Sequence, residues 1–242
     1  MKALGRLLLL ILCSALLLQL FFVARIAVMT WLDPESTSYQ RSEAWQLAHS
    51  SEGLRWRQQW VDYDQISGNL KRAVIASEDA GFMEHHGVEW DAVQRAWQRN
   101  AQAEARAMQA EKAGSNSKPV KVYGGSTITQ QLAKNLLLSG ERNFLRKGQE
   151  LVLAQLLELM LSKQRILEIY LNNVEWGQGV FGAEAAARHY FRKSAAQLNA
   201  AEAARLAAML PAPKRFEKMP QSRYLAQRSR TIARYIPMVT PP

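Results

Sequence analysis

Residues 7–24 read LLLLILCSALLLQLFFVA, with Ser14 and Gln19 the only strongly polar interruptions. A helix rises about 1.5 Å per residue and a bilayer core is about 30 Å thick, so roughly 20 apolar residues cross it. Arg25 and then IAVMTWL follow. The stretch 7–32 is long enough to span if Arg25 snorkels toward the far interface and Trp31 sits there. Lys2 and Arg6 precede the run, so the positive-inside rule keeps a tail of residues 1–6 in the cytoplasm and sends the rest across. The alternative is a cleaved signal peptide. The run is longer than a usual signal h-region and no clean small-x-small site precedes Trp31, which favours an uncleaved anchor. On either reading the body works outside the cytoplasm. Cys13, inside the run, reads as a small apolar filler.

That placement restricts what the charge can mean. Lys and Arg total 31 against 21 Asp and Glu, a formal net charge of +10. A basic chain seeks an anionic partner. Outside the cytoplasm this favours membrane phospholipid or a lipid-linked phosphate over nucleic acid. A hydrophobic share of 48% supports a packed core and excludes a largely disordered chain. One cysteine forms no internal disulfide, and no Cys/His cluster offers a zinc site.

Beyond the anchor, residues 33–65 read as a connecting segment. A polar break at Asp33-Pro34-Glu35-Ser36 is followed by Trp45, Trp56 and Trp60 among Arg and Gln. Residues 66–242 read as one mainly α domain. A helix starts near 64–69, a solvated helix covers 94–112, and Gly114 to Pro119 is a loop. A long helix over 141–160, nearly apolar all round after Glu150, reads as the buried centre of the domain. Further helices cover 163–171, 182–191 and 200–210, the last ended by Pro211 and Pro213. Strand alternation is nearly absent.

Four blocks could carry chemistry. In Ser77-Glu78-Asp79-Ala80-Gly81-Phe82-Met83-Glu84-His85-His86-Gly87, the apolar approach AVIA places Glu78 near a core wall. Desolvation there raises a carboxylate pKa and suits it to base work. The plainer alternative is a helix-end carboxylate with a solvated neighbour, and His85 reads as a hydrogen-bonded structural residue. In the second block, Gly124 and Gly125 enter a helix with Ser126 or Thr127 as N-cap. Thr127, Gln130, Gln131 and Lys134, at i, i+3, i+4 and i+7, line one polar face that could hold phosphate or sugar hydroxyls, or could simply be solvated. In the third, Arg146, Lys147 and Glu150 can meet on one helical face, either as a surface salt bridge or as cations that neutralise a diphosphate. In the fourth, Ser162 to Asn173 has packing-type apolar spacing and runs into the Gly-rich Glu175 to Gly182.

Taken together, the blocks resemble the glycosyltransferase domain of peptidoglycan polymerases. Glu78, Asp79, Phe82, His85 and Gly87 match ED-x-x-F-x-x-H-x-G; Gly124 to Asn135 match GGST-[IL]-TQQL-x-KN; Arg146, Lys147 and Glu150 match RK-x-x-E; Ser162 to Asn172 match SK-x-x-ILE-x-YLN; and Ala208 to Phe216 match AMLPAP-x-RF. The resemblance runs from about Ala73 to Phe216. No SxxK-type penicillin-binding domain follows before Pro242, as expected of the monofunctional form. The resemblance implies a lysozyme-like helical fold behind one transmembrane helix. It implies Glu78 as general base and Glu150 as the second essential acid. Asp79, His85, Ser126, Thr127, Gln130, Gln131, Lys134, Asn135, Arg146 and Lys147 are implied as substrate-binding residues, with Lys134, Arg146 and Lys147 on the diphosphate. The substrates implied are lipid II and a growing lipid-linked glycan at the bacterial inner membrane, with the catalytic domain periplasmic. A divalent metal, Mg or Mn, is implied without a visible ligand motif. Cell-wall synthesis or division proteins are implied as partners.

Two rivals remain in view. A lysozyme or lytic transglycosylase would need a protonated acid and no lipid-diphosphate site, which the Lys134, Arg146 and Lys147 cluster disfavours. A non-enzymatic scaffold would not need intact carboxylates at Glu78 and Glu150.

Overall fold

The computed structural model describes residues 2–51, 53–112, 124–138 and 143–242. The expected loop at 114–119 and the first two residues of the expected helix 141–160 lie outside them. In order, the elements are α1 (Lys2–Val28), α2 (Ser38–Ala48), β1 (Arg57–Gln58), α3 (Gly68–Glu78), α4 (Trp90–Lys112), α5 (Ile128–Leu137), α6 (Phe144–Met160), α7 (Lys163–Asn173), β2 (Glu175–Gly177), β3 (Val180–Phe181), α8 (Ala183–Phe191), α9 (Ala200–Met209), α10 (Pro213–Lys218) and α11 (Arg223–Tyr235). The expected mainly α class is what is observed.

Small side chains set the tightest packing. In α9, Ala203, Ala204, Ala207 and Ala208 are all buried, so α3 and α11 can both pack closely on this helix. Helix α3 turns Leu70, Ala73, Val74 and Ile75 to the core, and Ser67 caps its start by accepting from Asn69 N–H. A second layer joins α5 to α6, α7 and α2. In α7 every residue from Ile169 to Asn173 is buried, so α7 is a true core helix.

Helix α6 differs from the expectation of a buried centre. Leu153, Ala154 and Leu157 are buried, but Leu145, Val152 and Leu159 are exposed. Those three recur every seven residues and form one stripe. Beside that stripe α6 meets α1: Gln19 and Gln149 exchange reciprocal amide hydrogen bonds of 2.9 and 3.1 Å. Phe22, Ile26 and Met29 are buried, whereas the leucines of the first half of α1 are exposed. Helix α1 is long and apolar enough to cross a membrane. An all-round apolar helix can belong to a core or face lipid, and periodicity does not separate the two.

Residues 33–65, expected to be a connection, are packed into the body. Helix α2 lies against α5. Gln40 donates to the Asn173 side chain at 3.2 Å, and Tyr39 donates to Glu175 at 2.7 Å. Strand β1 pairs in parallel with β3, which pairs antiparallel with β2, in the order β1-β3-β2. Trp56 stacks on Phe181 with ring centroids 4.5 Å apart. Gly179, at φ +69°, is needed at the β2–β3 turn: a Cβ there would lie 1.9 Å from the Arg55 carbonyl oxygen.

Candidate active site

Four separate segments converge on the first turn of α5. Thr127 is its N-cap. The hydroxyl accepts from Gln130 N–H at 3.1 Å and donates to the Gly87 carbonyl at 2.6 Å, while the Gln130 side chain accepts from Thr127 N–H at 3.0 Å. This reciprocal capping box satisfies donors that a helix start would otherwise leave bare. Asp79 follows the last residue of α3 and is buried. Its carboxylate accepts from Ile128 N–H at 2.9 Å, where the positive end of the α5 dipole favours an anion, and from His85 Nε2 at 2.8 Å. Asp79, His85 and Thr127 therefore join the first and second blocks into one unit.

That unit aims Glu78. Its Oε2 accepts from Gln131 Nε2 at 3.2 Å and its Oε1 from Ser77 Oγ at 3.0 Å. The Arg228 guanidinium of α11 lies 3.8 Å from Oε1 and donates to Ser77 Oγ at 3.1 Å. Burial pushes the Glu78 carboxyl above the ordinary range, against the opposing pull of Gln131, Ser77 and Arg228, with Asp79 adding a further upward push. Such a carboxylate is a stronger base than a solvated one and still has lone pairs to offer.

The cations sit across the same turn. Glu150 of α6 is buried. Its Oε2 takes Arg146 Nη1 at 3.2 Å and its Oε1 takes Lys147 Nζ. Lys147 also donates to Ser126 Oγ at 3.3 Å. Ser126 and Gln131 are five positions apart, so the chain around the start of α5 links the Glu150 cluster to Glu78. A third acid closes the arrangement: Glu158 accepts from Thr129 at 2.6 Å and from Lys163 at 2.8 Å, and Lys163 also donates to the His85 carbonyl at 2.7 Å.

The structure thus divides the expected site residues. Glu78, Asp79, His85, Ser126, Gln131, Arg146, Lys147 and Glu150 are brought together. Thr127 and Gln130 are not on an open polar face; both are buried and spend their polar atoms on the cap. The heptad-like offsets suggested a single stripe, but a cap turns the first of those side chains inward. Lys134 is exposed and Asn135 half-buried on the later turns of α5. Arg228 was not singled out from sequence, and Lys163 and Tyr170, although inside the matched SK-x-x-ILE-x-YLN block, were given no site role. Arg228 sits in an Arg-rich helix where no local signal marks one arginine, and Tyr170 has ordinary packing spacing. Among the described residues no three His, Cys, Asp or Glu side chains gather as metal ligands. Both Glu150 oxygens already face cations. These residues do not form a protein-only metal site.

The family model described as Transglycosylase matches residues 46–236. The chain belongs to the transglycosylase family, and it is a glycosyltransferase enzyme. It is 53% identical over 216 residues to a biosynthetic peptidoglycan transglycosylase of Paraburkholderia xenovorans, covering 89% of this chain and 84% of that one. It is 50% identical over 232 residues to one of Bordetella pertussis, covering 96% and 91%. A third, of Bordetella avium, is 49% identical over 240 residues, covering 98% and 95%.

Proposed function

We propose that this protein polymerises peptidoglycan from lipid II at the outer face of the bacterial inner membrane. The 4-hydroxyl of the acceptor GlcNAc hydrogen-bonds to Glu78. As that oxygen attacks C1 of the donor MurNAc, its proton passes to the Glu78 carboxylate. The bond from C1 to the diphosphate oxygen breaks, and undecaprenyl diphosphate departs with the bonding pair. Direct displacement inverts the α-linked donor to a β-1,4 link, with no covalent enzyme intermediate. Arg146 and Lys147 meet the charge that grows on the departing diphosphate, and Lys134, exposed on a later turn of α5, adds to it. Glu150 fixes the two cations of α6 as a preformed unit, and Ser126, tied to Lys147, and the half-buried Asn135 offer polar groups to sugar or phosphate oxygens. Asp79, His85, Thr127 and Gln130 hold the scaffold.

The observation that supports this reading best is the shared anchorage of both acids at the start of α5, Glu78 through Gln131 and Glu150 through Lys147 and Ser126. A base and a diphosphate clamp both tied to one helix start suit a displacement between them. The membrane enters the same reading. Helix α1 anchors the chain with its N-terminus in the cytoplasm, and the exposed Leu145, Val152 and Leu159 of α6 beside it rest on lipid, as do Trp90 and Trp97 of α4. The test is a choice of substrate. Purified full-length protein in vesicles is given lipid II, or alternatively preformed cell wall. Chain growth with release of undecaprenyl diphosphate is expected from the first and no cleavage from the second. Fragments from preformed wall, with no growth on lipid II, would establish a lytic enzyme instead.

A further inference from the structure

We propose that Tyr170 and Arg228 are positioning residues for Glu78, acting from opposite sides of its carboxylate through Gln131 and Ser77. The inference rests on the reading of Glu78 as the base.

A glutamate carboxylate rotates easily about its last torsion, because that barrier is low and broad. To present one lone pair toward a hydroxyl, both oxygens must be held by donors. Gln131 holds Oε2 at 3.2 Å, but an amide has nearly the same shape when flipped. A flip would set Gln131 Oε1 against the carboxylate, oxygen against oxygen. Tyr170 prevents it by donating its hydroxyl to Gln131 Oε1 at 2.9 Å, which leaves only the NH2 group to face Glu78. Tyr170 is fully buried on α7, and burial together with the nearby Glu78 and Asp79 charges keeps its phenol protonated, so it remains a donor.

Ser77 presents the matching problem on Oε1. It has one hydroxyl proton and two acceptors within reach, Glu78 Oε1 at 3.0 Å and the Ala207 carbonyl of α9 at 3.4 Å. Arg228 Nη2 donates to Ser77 Oγ at 3.1 Å and to the Ser77 carbonyl at 3.4 Å, fixing the hydroxyl oxygen. The same guanidinium sits 3.8 Å from Oε1, so its charge attracts the ionised carboxylate, while its bond to a Ser77 Oγ lone pair turns the hydroxyl proton away from the cation and toward Oε1. The charged or titratable groups facing Glu78 are thus Asp79 beside it, Tyr170 on α7 and Arg228 on α11. Helix α5 contributes the neutral Gln131, and α9 a carbonyl.

Tyr170→Phe and Arg228→Gln test the two arms separately. In vesicles with lipid II, each is expected to lower kcat about tenfold or more while KM stays within about twofold. Each removes support for the ionised carboxylate, so the acidic limb of the kcat–pH profile should move to higher pH by roughly half a unit or more. Arg228→Lys should recover part of the shift, because it returns the charge without the fork. A limb that stays in place, whether or not melting temperature drops, overturns the assignment of that residue and leaves it a packing role. Ser77→Ala, which keeps Arg228 in place, must shift the limb in the same direction or the Arg228 arm fails. Glu78→Gln separates the two levels. If it is inactive while Tyr170→Phe and Arg228→Gln behave as wild type, the positioning inference alone falls; if it is active, the base assignment falls.

Discussion

Asp79 shows how one side chain can carry structure beside chemistry. Its neighbour Glu78 is the proposed base, while Asp79 is buried against the start of α5 with Ile128 N–H and His85 as partners. Removing one member of a buried charged arrangement leaves the others desolvated and unpaired, at a cost of about 3–5 kcal/mol. Asp79→Ala is therefore expected to lower the unfolding free energy by about 3 kcal/mol or more in chemical denaturation, and a loss below about 0.5 kcal/mol would contradict that role. Much at this scale was legible beforehand: the apolar approach to Glu78 signalled its desolvation, and the i, i+3 and i+4 offsets of Arg146, Lys147 and Glu150 signalled their cluster. The inward turn of Thr127 and Gln130 was not legible, because a capping residue and a polar stripe share the same residue types. Arg228 was not legible because its partner lies 150 positions away in the chain.

Among elements, α1 and α3 to α9 followed from apolar run, period and caps, whereas α2, α10 and α11 were not expected, and neither was the sheet, since strands of two or three residues are too short to show alternation. The polar bonds of β2 explain why α2 belongs to the body. Glu175 accepts from Tyr39 of α2 and faces Lys214 of α10 at 3.5 Å, and Lys214 also pairs with Glu43 of α2. Burial, against the pull of Tyr39 and Lys214, pushes the Glu175 carboxyl up to about 6, with Glu43 adding to the rise. The folded state then binds this proton more tightly than the unfolded chain does. Stability from this group is fully present below the unfolded value near 4.5 and is lost as pH rises through about 6. The loss is about 2 kcal/mol at neutral pH. Glu175→Gln keeps an acceptor for Tyr39 and leaves Lys214 paired with Glu43. It should exceed wild type in stability at pH 7.5 by up to that amount and match it near pH 4.5. A variant less stable than wild type at pH 7.5 would show that the ionised carboxylate is worth more to α2 and α10 than its burial costs.

For the whole molecule, helix α1 and the body are one packed object. Phe22, Ile26 and Met29 of the α1 segment are buried, and Arg165 of α7 donates to the Met29 carbonyl at 2.9 Å and to the Leu32 carbonyl at 3.0 Å. A fully buried side chain of this size contributes about 1.5–3 kcal/mol. Protein beginning at Asp33 is therefore expected to melt below the full chain in the same detergent, and to make glycan more slowly in vesicles because it meets its substrate from solution. An equal melting temperature would show that α1 adds nothing to the packing of the body, and an equal rate would show that tethering does not speed the encounter with substrate. The apolar run was the plainest signal in the sequence, but its docking on α6 depends on Gln19 and Gln149, which read individually as interruptions.

Whether the Glu78 carboxylate takes the acceptor proton as the diphosphate leaves is decided most directly by giving lipid II to full-length Glu78→Gln in vesicles, with folding checked by melting temperature. The expected result is a folded protein that binds lipid II and makes no glycan, since the amide cannot accept the proton. Glycan synthesis at the wild-type rate by that variant would contradict the mechanism.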